Sequence, residues 1–211
     1  GKSNGLAAKC GSTAEAKALA DAPPDLFLWG ANEVTDAEDA PGVIEGWLKQ
    51  GACIIGEQKF AVECDSEASQ QLYALAADYE VPILLHFQHQ TYNFGYDPFH
   101  RILEQFPRTL FIGHAQAFWG NIDKAHDAAQ NYPKGAVTPG GLTDRYLADY
   151  ANLFADMSAG SGLNALKRDE EHTRAFLTRH QDKLLCGGDC ADHSGRGPGC
   201  QGAETLATIR R

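Results

Sequence analysis

Short apolar segments rich in β-forming residues alternate with helical patterns along this chain, and that alternation restricts its fold more than any other feature. Six segments stand out: residues 26–29 (LFLW), 53–56 (CIIG), 83–86 (ILLH), 110–113 (LFIG), 153–156 (LFAD) and 184–187 (LLCG). Most steps between them are about 30 residues, the length of one strand plus its crossover helix, and the fourth step is longer. This is the pattern of an α/β fold with a parallel sheet.

The gaps carry helix signals. Asp97 and Pro98 offer an N-cap acceptor and a first-turn proline before Phe99, Ile102, Leu103 and Phe106, whose spacing builds one apolar face. Leu72, Leu75, Ala76 and Tyr79 repeat that spacing ahead of Val81-Pro82. From Asp169, three acids open a segment that Arg179, His180 and Lys183 close, which complements a helix dipole. A long insertion at about 118–150 contains the turn Pro139-Gly140-Gly141, with Thr143 as the expected N-cap of a helix to Tyr150. The last segment, 204–211, reads as a helix without a stop signal.

Composition removes several function classes. With 211 residues, 43% of them hydrophobic and 22% charged, one globular domain over 1–211 is expected. A formal charge of −10 with scattered basic residues argues against nucleic acid. The longest apolar run, 81–85, is far short of the roughly 20 residues that span a membrane. Six cysteines without a C-x-x-C pair predict free, mostly buried thiols in a reducing, cytoplasmic setting and no structural zinc knuckle.

In parallel α/β folds the functional side chains sit at the carboxyl ends of strands. Here those ends read Gly56-Glu57-Gln58-Lys59, His86-Phe87-Gln88-His89, Gly113-His114-Ala115-Gln116 and Gly187-Gly188-Asp189-Cys190. Each residue alone has an ordinary structural explanation: a hydrogen-bonded histidine, a Glu57–Lys59 pair, a turn aspartate. Together they supply a glutamate, two histidines and an aspartate, the ligand types for zinc or a similar divalent ion. Strands about 4.8 Å apart would spread five such ends over nearly 20 Å in an open sheet, so convergence on one ion with bonds of about 2.1 Å requires closure into a barrel.

As a set, these residues resemble the ends of the fourth, fifth, sixth and eighth strands of the amidohydrolase superfamily, specifically its amidohydrolase-related (amidohydrolase 2) branch of metal-dependent hydrolases. Asp156-Met157-Ser158-Ala159-Gly160 stands for the seventh strand. The resemblance implies a (β/α)8 TIM barrel holding one or two divalent ions, zinc foremost. It places metal ligands at Glu57, His86, His114 and Asp189, and makes Asp189 the catalytic proton acceptor as well. The family's fourth-strand ligand is commonly a glutamate or a carboxylated lysine; Glu57, directly after Gly56, matches it better than Lys59.

The family's H-x-H pair on its first strand is absent, since no two histidines stand two residues apart. Counting back makes 26–29 the third strand, so strands 1 and 2 of the barrel are expected to be missing from this chain, with helix before Asp25. The domain is then incomplete at its N-terminus and also at its C-terminus. Open edges at 26–29 and 184–187 would favour pairing with another chain, a homo-oligomer included. Lys59, His89, Tyr92, Trp119 and Ser161 are expected to contact a small-molecule substrate, with Asn93, Tyr96, Gln116, Asn121, Ser158 and Asn164 as second choices. His100, His126, His172 and His180 are expected on helix surfaces. The implied activity is metal-dependent hydrolysis, with Asp189 moving the proton between water and leaving group. Its rivals are non-oxidative decarboxylation by the same ligands and a barrel without catalysis.

Overall fold

The computed structural model describes residues 5–7 by their backbone and residues 12–21, 27–189 and 200–210 in full. Leu26, Cys10, Cys190 and the residues just before Asp25 lie outside the described residues. The chain divides into two compact units, Gly1–His86 with Gln90–Ile112, and Phe87–His89 with Gly113–Arg211.

In the first unit the order is β1 (Gly5–Ala7), α1 (Thr13–Asp21), β2 (Phe27–Trp29), α2 (Ala40–Leu48), β3 (Ile55–Gln58), α3 (Glu67–Asp78), β4 (Ile83–His86), α4 (His100–Gln105) and the start of β5 (Phe111–His114). Strand β1 was not expected: three residues, too short for a periodic signal, pair in parallel with β2 from Gly5 opposite Phe27 to Ala7 opposite Trp29. The far side of β2 is paired as well. Cys53 donates its N–H to the Trp29 carbonyl at 3.0 Å, Ala31 to Ile54 at 2.9 Å and Gly56 to Ala31 at 2.7 Å. The open edge expected at 26–29 is therefore absent, because the ladder runs past the apolar letters on both sides.

Strand β3 pairs in parallel with β4, with an irregularity between Ile55 and Gln58. Gly56 sits there with φ +135°, and a Cβ would lie 2.7 Å from the Leu84 carbonyl oxygen, so only glycine fits. Helix α3 starts at Ser66, whose hydroxyl accepts from the Ser69 N–H at 3.2 Å, and it buries Leu72, Tyr73 and Ala76. Tyr73 packs edge-on to Phe111 at 5.0 Å and donates its hydroxyl to the Cys64 carbonyl at 2.7 Å. Burying such a side chain contributes about 1.5–3 kcal/mol, and the bonded hydroxyl avoids the desolvation cost that would offset it. Asp97 and Pro98 form a turn into α4, and Phe99, Ile102 and Leu103 are buried as their spacing predicts.

In the second unit β5 ends at His114 and leads into α5 (Ala115–Gly120), α6 (Leu142–Asp149), β6 (Leu153–Asp156), α7 (Ala159–Arg168), α8 (Glu170–His180), β7 (Leu184–Leu185) and α9 (Gln201–Ile209). Strands β3 to β7 are ordered in the sheet as in the sequence. Strand β7 pairs with β6, Ala155 opposite Leu184 and Asp156 opposite Leu185.

The long insertion is held by charge. Asp123 accepts from the N–H groups of Ala125 (2.8 Å) and Thr138 (3.1 Å) and pairs with the buried Arg168 guanidinium at 2.8 Å. Burial pushes its carboxyl up, but these donors outweigh that and hold it below the usual range. Asp169 caps α8 through the His172 N–H and also accepts from the Val137 N–H of the insertion. Thr143 does not cap α6. It lies inside the helix and donates its hydroxyl to the Phe118 carbonyl at 2.6 Å.

Two of the four histidines expected at the surface are buried. His180 bonds Asp144 at 2.6 Å, and His172 packs on Phe176 with neither ring nitrogen bonded. Their helix α8 turns that face toward α6, a tertiary choice that helical periodicity does not announce. Among the described cysteines, Cys64 and Cys200 are buried, Cys53 is half-buried and Cys186 is exposed, all as free thiols. No helix among the described residues is long and apolar enough to cross a membrane.

Candidate metal centre

Each candidate histidine is the last residue of its strand, and each has its Nδ1 atom against a carboxylate. In the first unit His86 Nδ1 lies 2.6 Å from Glu57 Oε1. A carboxylate oxygen can only accept, so the proton sits on Nδ1 and the lone pair on Nε2, the nitrogen that binds metals in carboxylate–imidazole pairs. The surroundings fix both partners. Buried Asn93, in the left-handed region at φ +38°, donates its amide to the carbonyls of Gln58 (2.7 Å) and His86 (3.0 Å). Asn32 donates to the Glu57 carbonyl at 3.2 Å. The Tyr92 ring meets the His86 ring edge-on at 5.6 Å, and Lys59 Nζ lies 5.6 Å from the centre of the Tyr92 ring. Beside Asn32, a cavity of about 290 Å³ is lined by Thr13, Glu33, Trp47 and Phe60 among others.

In the second unit the carboxylate is Asp156, last residue of β6. Its Oδ2 lies 3.4 Å from His114 Nδ1. The Ser158 hydroxyl is 3.3 Å from the same nitrogen and also bonds Asp156 Oδ2. Trp119, expected to line a pocket, is buried and donates its indole N–H to the Asp156 carbonyl at 2.9 Å. A Cβ on Gly187 would come within 2.9 Å of Asp156 Oδ1, so a glycine after β7 leaves that carboxylate its place.

The residues that can supply ligands to a metal ion are Glu57 and His86 in the first unit and His114 in the second. The donor set of one carboxylate and two imidazoles suits a divalent transition ion such as zinc. Asp189 is not in that group; it follows β7, exposed, with φ +45°. Of the other expected contacts, His89 stacks on His126 and Ser161 is buried with no bonded partner for its hydroxyl. Sequence reasoning missed Asp156 and Asn32 as orienting groups. The signal for Asp156 was available, since it ends its strand at the same place as His86 and His114.

No protein-family model matches the chain, and no curated protein matches it. Among solved structures it is similar to an uncharacterized TIM-barrel protein, Bb4693 from Bordetella bronchiseptica, with a TM-score of 0.60 and 17% identity over 95% of this chain and 65% of that one. It is also similar to 2,6-dihydroxybenzoate decarboxylase complexed with 2,6-dihydroxybenzoate, with a TM-score of 0.53 and 12% identity over 93% of this chain and 68% of that one. The chain thus spans about two thirds of the length of these structures. With the parallel sheet and its alternating helices, these likenesses establish an α/β fold of the TIM-barrel type.

Proposed function

We propose that this chain is the larger part of a metal-dependent enzyme acting on a small molecule, a hydrolase of the amidohydrolase type. The observation that carries this reading is that both strand-end histidines are held at Nδ1 by a carboxylate, which fixes the tautomer a metal ligand needs. His86 and His114 are the residues that would hold the ion through Nε2, with Glu57 bonded to His86 Nδ1 behind the ring. When bound, a divalent ion would acidify water toward neutral pH and polarise a scissile carbonyl.

The chain's own residues supply the rest. Glu57 and Asp156 orient the imidazoles, while Asn93 and Asn32 hold the backbone that carries His86 and Glu57. Asp189, on the segment after β7, is the proton acceptor from water and the donor to the leaving group. The cavity walled by Trp47 and Phe60 beside Asn32 and Glu33 suits a small substrate with an apolar body and a few polar groups.

Decarboxylation is the second reading, favoured by the likeness to 2,6-dihydroxybenzoate decarboxylase. One experiment tests both. The purified chain is loaded with zinc, offered a panel of lactones, amides and hydroxybenzoates, and assayed for acid release and for CO2. Acid without CO2 supports hydrolysis; CO2 moves the chain to the second reading. Zinc uptake unchanged in His86→Ala and His114→Ala would remove the metal site and both readings with it.

A further inference from the structure

The second unit holds another pair of imidazoles. His89 comes three residues after the end of β4, and His126 lies in the insertion after α5. Their Nε2 atoms are 3.1 Å apart, and the rings stack with centroids 5.3 Å apart and planes 29° from parallel. We propose that His89 and His126 form a two-histidine chelate for a divalent transition-metal ion, a site separate in its ligands from Glu57, His86 and His114.

The spacing is the first argument. Two imidazole nitrogens bound to one ion at about 2.1 Å stand about 3.0 Å apart at a right-angle coordination geometry and about 3.4 Å apart at a tetrahedral one. The observed 3.1 Å falls inside that interval. An ion can therefore enter with little ring movement, its remaining positions filled by water. Proton bookkeeping also closes. In the metal-free pair one Nε2–H donates to the other ring's lone pair; on coordination that proton resides on Nδ1 of the same ring, so two neutral imidazoles present lone pairs and no net proton is lost.

The setting is the second argument. The His126 ring lies against Gly120, where any Cβ would run into it, and its Nδ1 is buried without a bonded partner. The backbone carrying it is stapled through Asp123 to Ala125, Thr138 and Arg168, so the ring is held in place before any ligand arrives. Burial, and then the neighbouring His89, hold the His126 imidazole below the usual histidine range, against the opposite pull of Asp123 and Asp127. A neutral ring is the form that binds metal. Imidazole pairs favour copper over zinc and nickel in the usual affinity order, so Cu(II) is the most sensitive probe.

The test uses the untagged chain carrying His86→Ala and His114→Ala, which removes the other histidine ligands. Cu(II) is titrated in and followed by electron paramagnetic resonance, and Zn(II) by calorimetry. The expected result is one ion per chain with coupling to two nitrogens, and an affinity at least ~10-fold weaker after His126→Gln or His89→Gln, the scale at which metal sites respond to loss of a supporting group. Circular dichroism melting without metal identifies folded variants. Should His126→Gln not fold, His89→Gln decides alone. Absence of a stoichiometric ion in the His86→Ala/His114→Ala chain, or an unchanged nitrogen count and affinity after His89→Gln, would overturn the proposal.

Discussion

His86 and His114 end neighbouring units of one pattern, yet they are held differently. At His86 the Glu57 carboxylate stands close to Nδ1, at 2.6 Å. At His114 the carboxylate stands back at 3.4 Å, and a serine hydroxyl at 3.3 Å shares the nitrogen. One ring is fixed by a short charge-assisted bond, the other by a divided contact in which Ser158 relays to Asp156. The difference follows from the strands. Glu57 precedes the last residue of β3, where the irregular pairing around Gly56 turns it toward His86, whereas Asp156 ends β6 and is itself shared between His114 and the N–H of Ser158. The lesson is that the first pair concentrates its function in one side chain and the second spreads it over two.

The sharpest way to break the comparison is Glu57→Gln. That change removes the acceptor that keeps the proton on His86 Nδ1, so zinc affinity should fall by about 100-fold, the upper part of the range for losing an orienting partner. Competition dialysis against a zinc chelator measures it. A loss of only a few-fold would mean that Glu57 does not set the His86 tautomer on which zinc binding depends.

A third histidine–carboxylate pair serves as the control. His180 and Asp144 also meet at 2.6 Å, but between helices α8 and α6, with Arg179 on the same carboxylate. Burial pushes the Asp144 carboxyl up, and the bonds from His180 and Arg179 outweigh it and hold it low. A carboxylate with a depressed folded-state pKa contributes stability that is present above its unfolded value near 3.9 and is lost as pH falls through the folded value. Asp144→Asn should therefore lower stability by about 1–3 kcal/mol at pH 7, flatten its decline in acid, and leave zinc affinity unchanged. Chemical denaturation at pH 7 and pH 3, beside the dialysis assay, separates structural pairs from ligand-orienting ones. An Asp144→Asn loss of zinc affinity as large as that of Glu57→Gln would erase the distinction.

How much of this was legible in the sequence differs by residue. The α/β alternation and the strand-end histidines could be read because apolar runs and chain spacing report sheets directly. Strand limits could not. Strand β3 runs two residues past the apolar letters, to Gln58, because a ladder needs only backbone N–H and C=O groups, and the buried Gln58 side chain donates its amide N–H to the Glu33 carbonyl and the Thr35 hydroxyl. Strand β1 escaped because three residues carry no period. The orienting roles of Asn32 and Trp119 were hidden for another reason: they depend on which backbone carbonyl each side chain meets, over 25 and 37 residues of separation. His172 and His180 were misplaced because which face of a polar helix turns inward is settled by the helix it packs against.

The divided hold on His114 can be taken apart by two substitutions of graded effect. Asp156→Asn keeps the shape but lets the side-chain nitrogen face His114 Nδ1, which favours the wrong tautomer; zinc affinity should fall by about 10-fold or more, the lower part of the range for losing an orienting partner. Ser158→Ala removes one of two contacts and leaves the carboxylate, which can close on the ring once the hydroxyl no longer stands beside it, so the loss should be only a few-fold. The ring itself reports the mechanism. Nitrogen-15 shifts of His114 in the metal-free chain should show Nδ1–H in the parent and in Ser158→Ala, and a shift toward Nε2–H in Asp156→Asn. If Ser158→Ala proves as damaging as Asp156→Asn and changes the tautomer equally, the serine is the principal partner of His114 and the carboxylate acts only through it, which would reverse the order assigned here to the second pair.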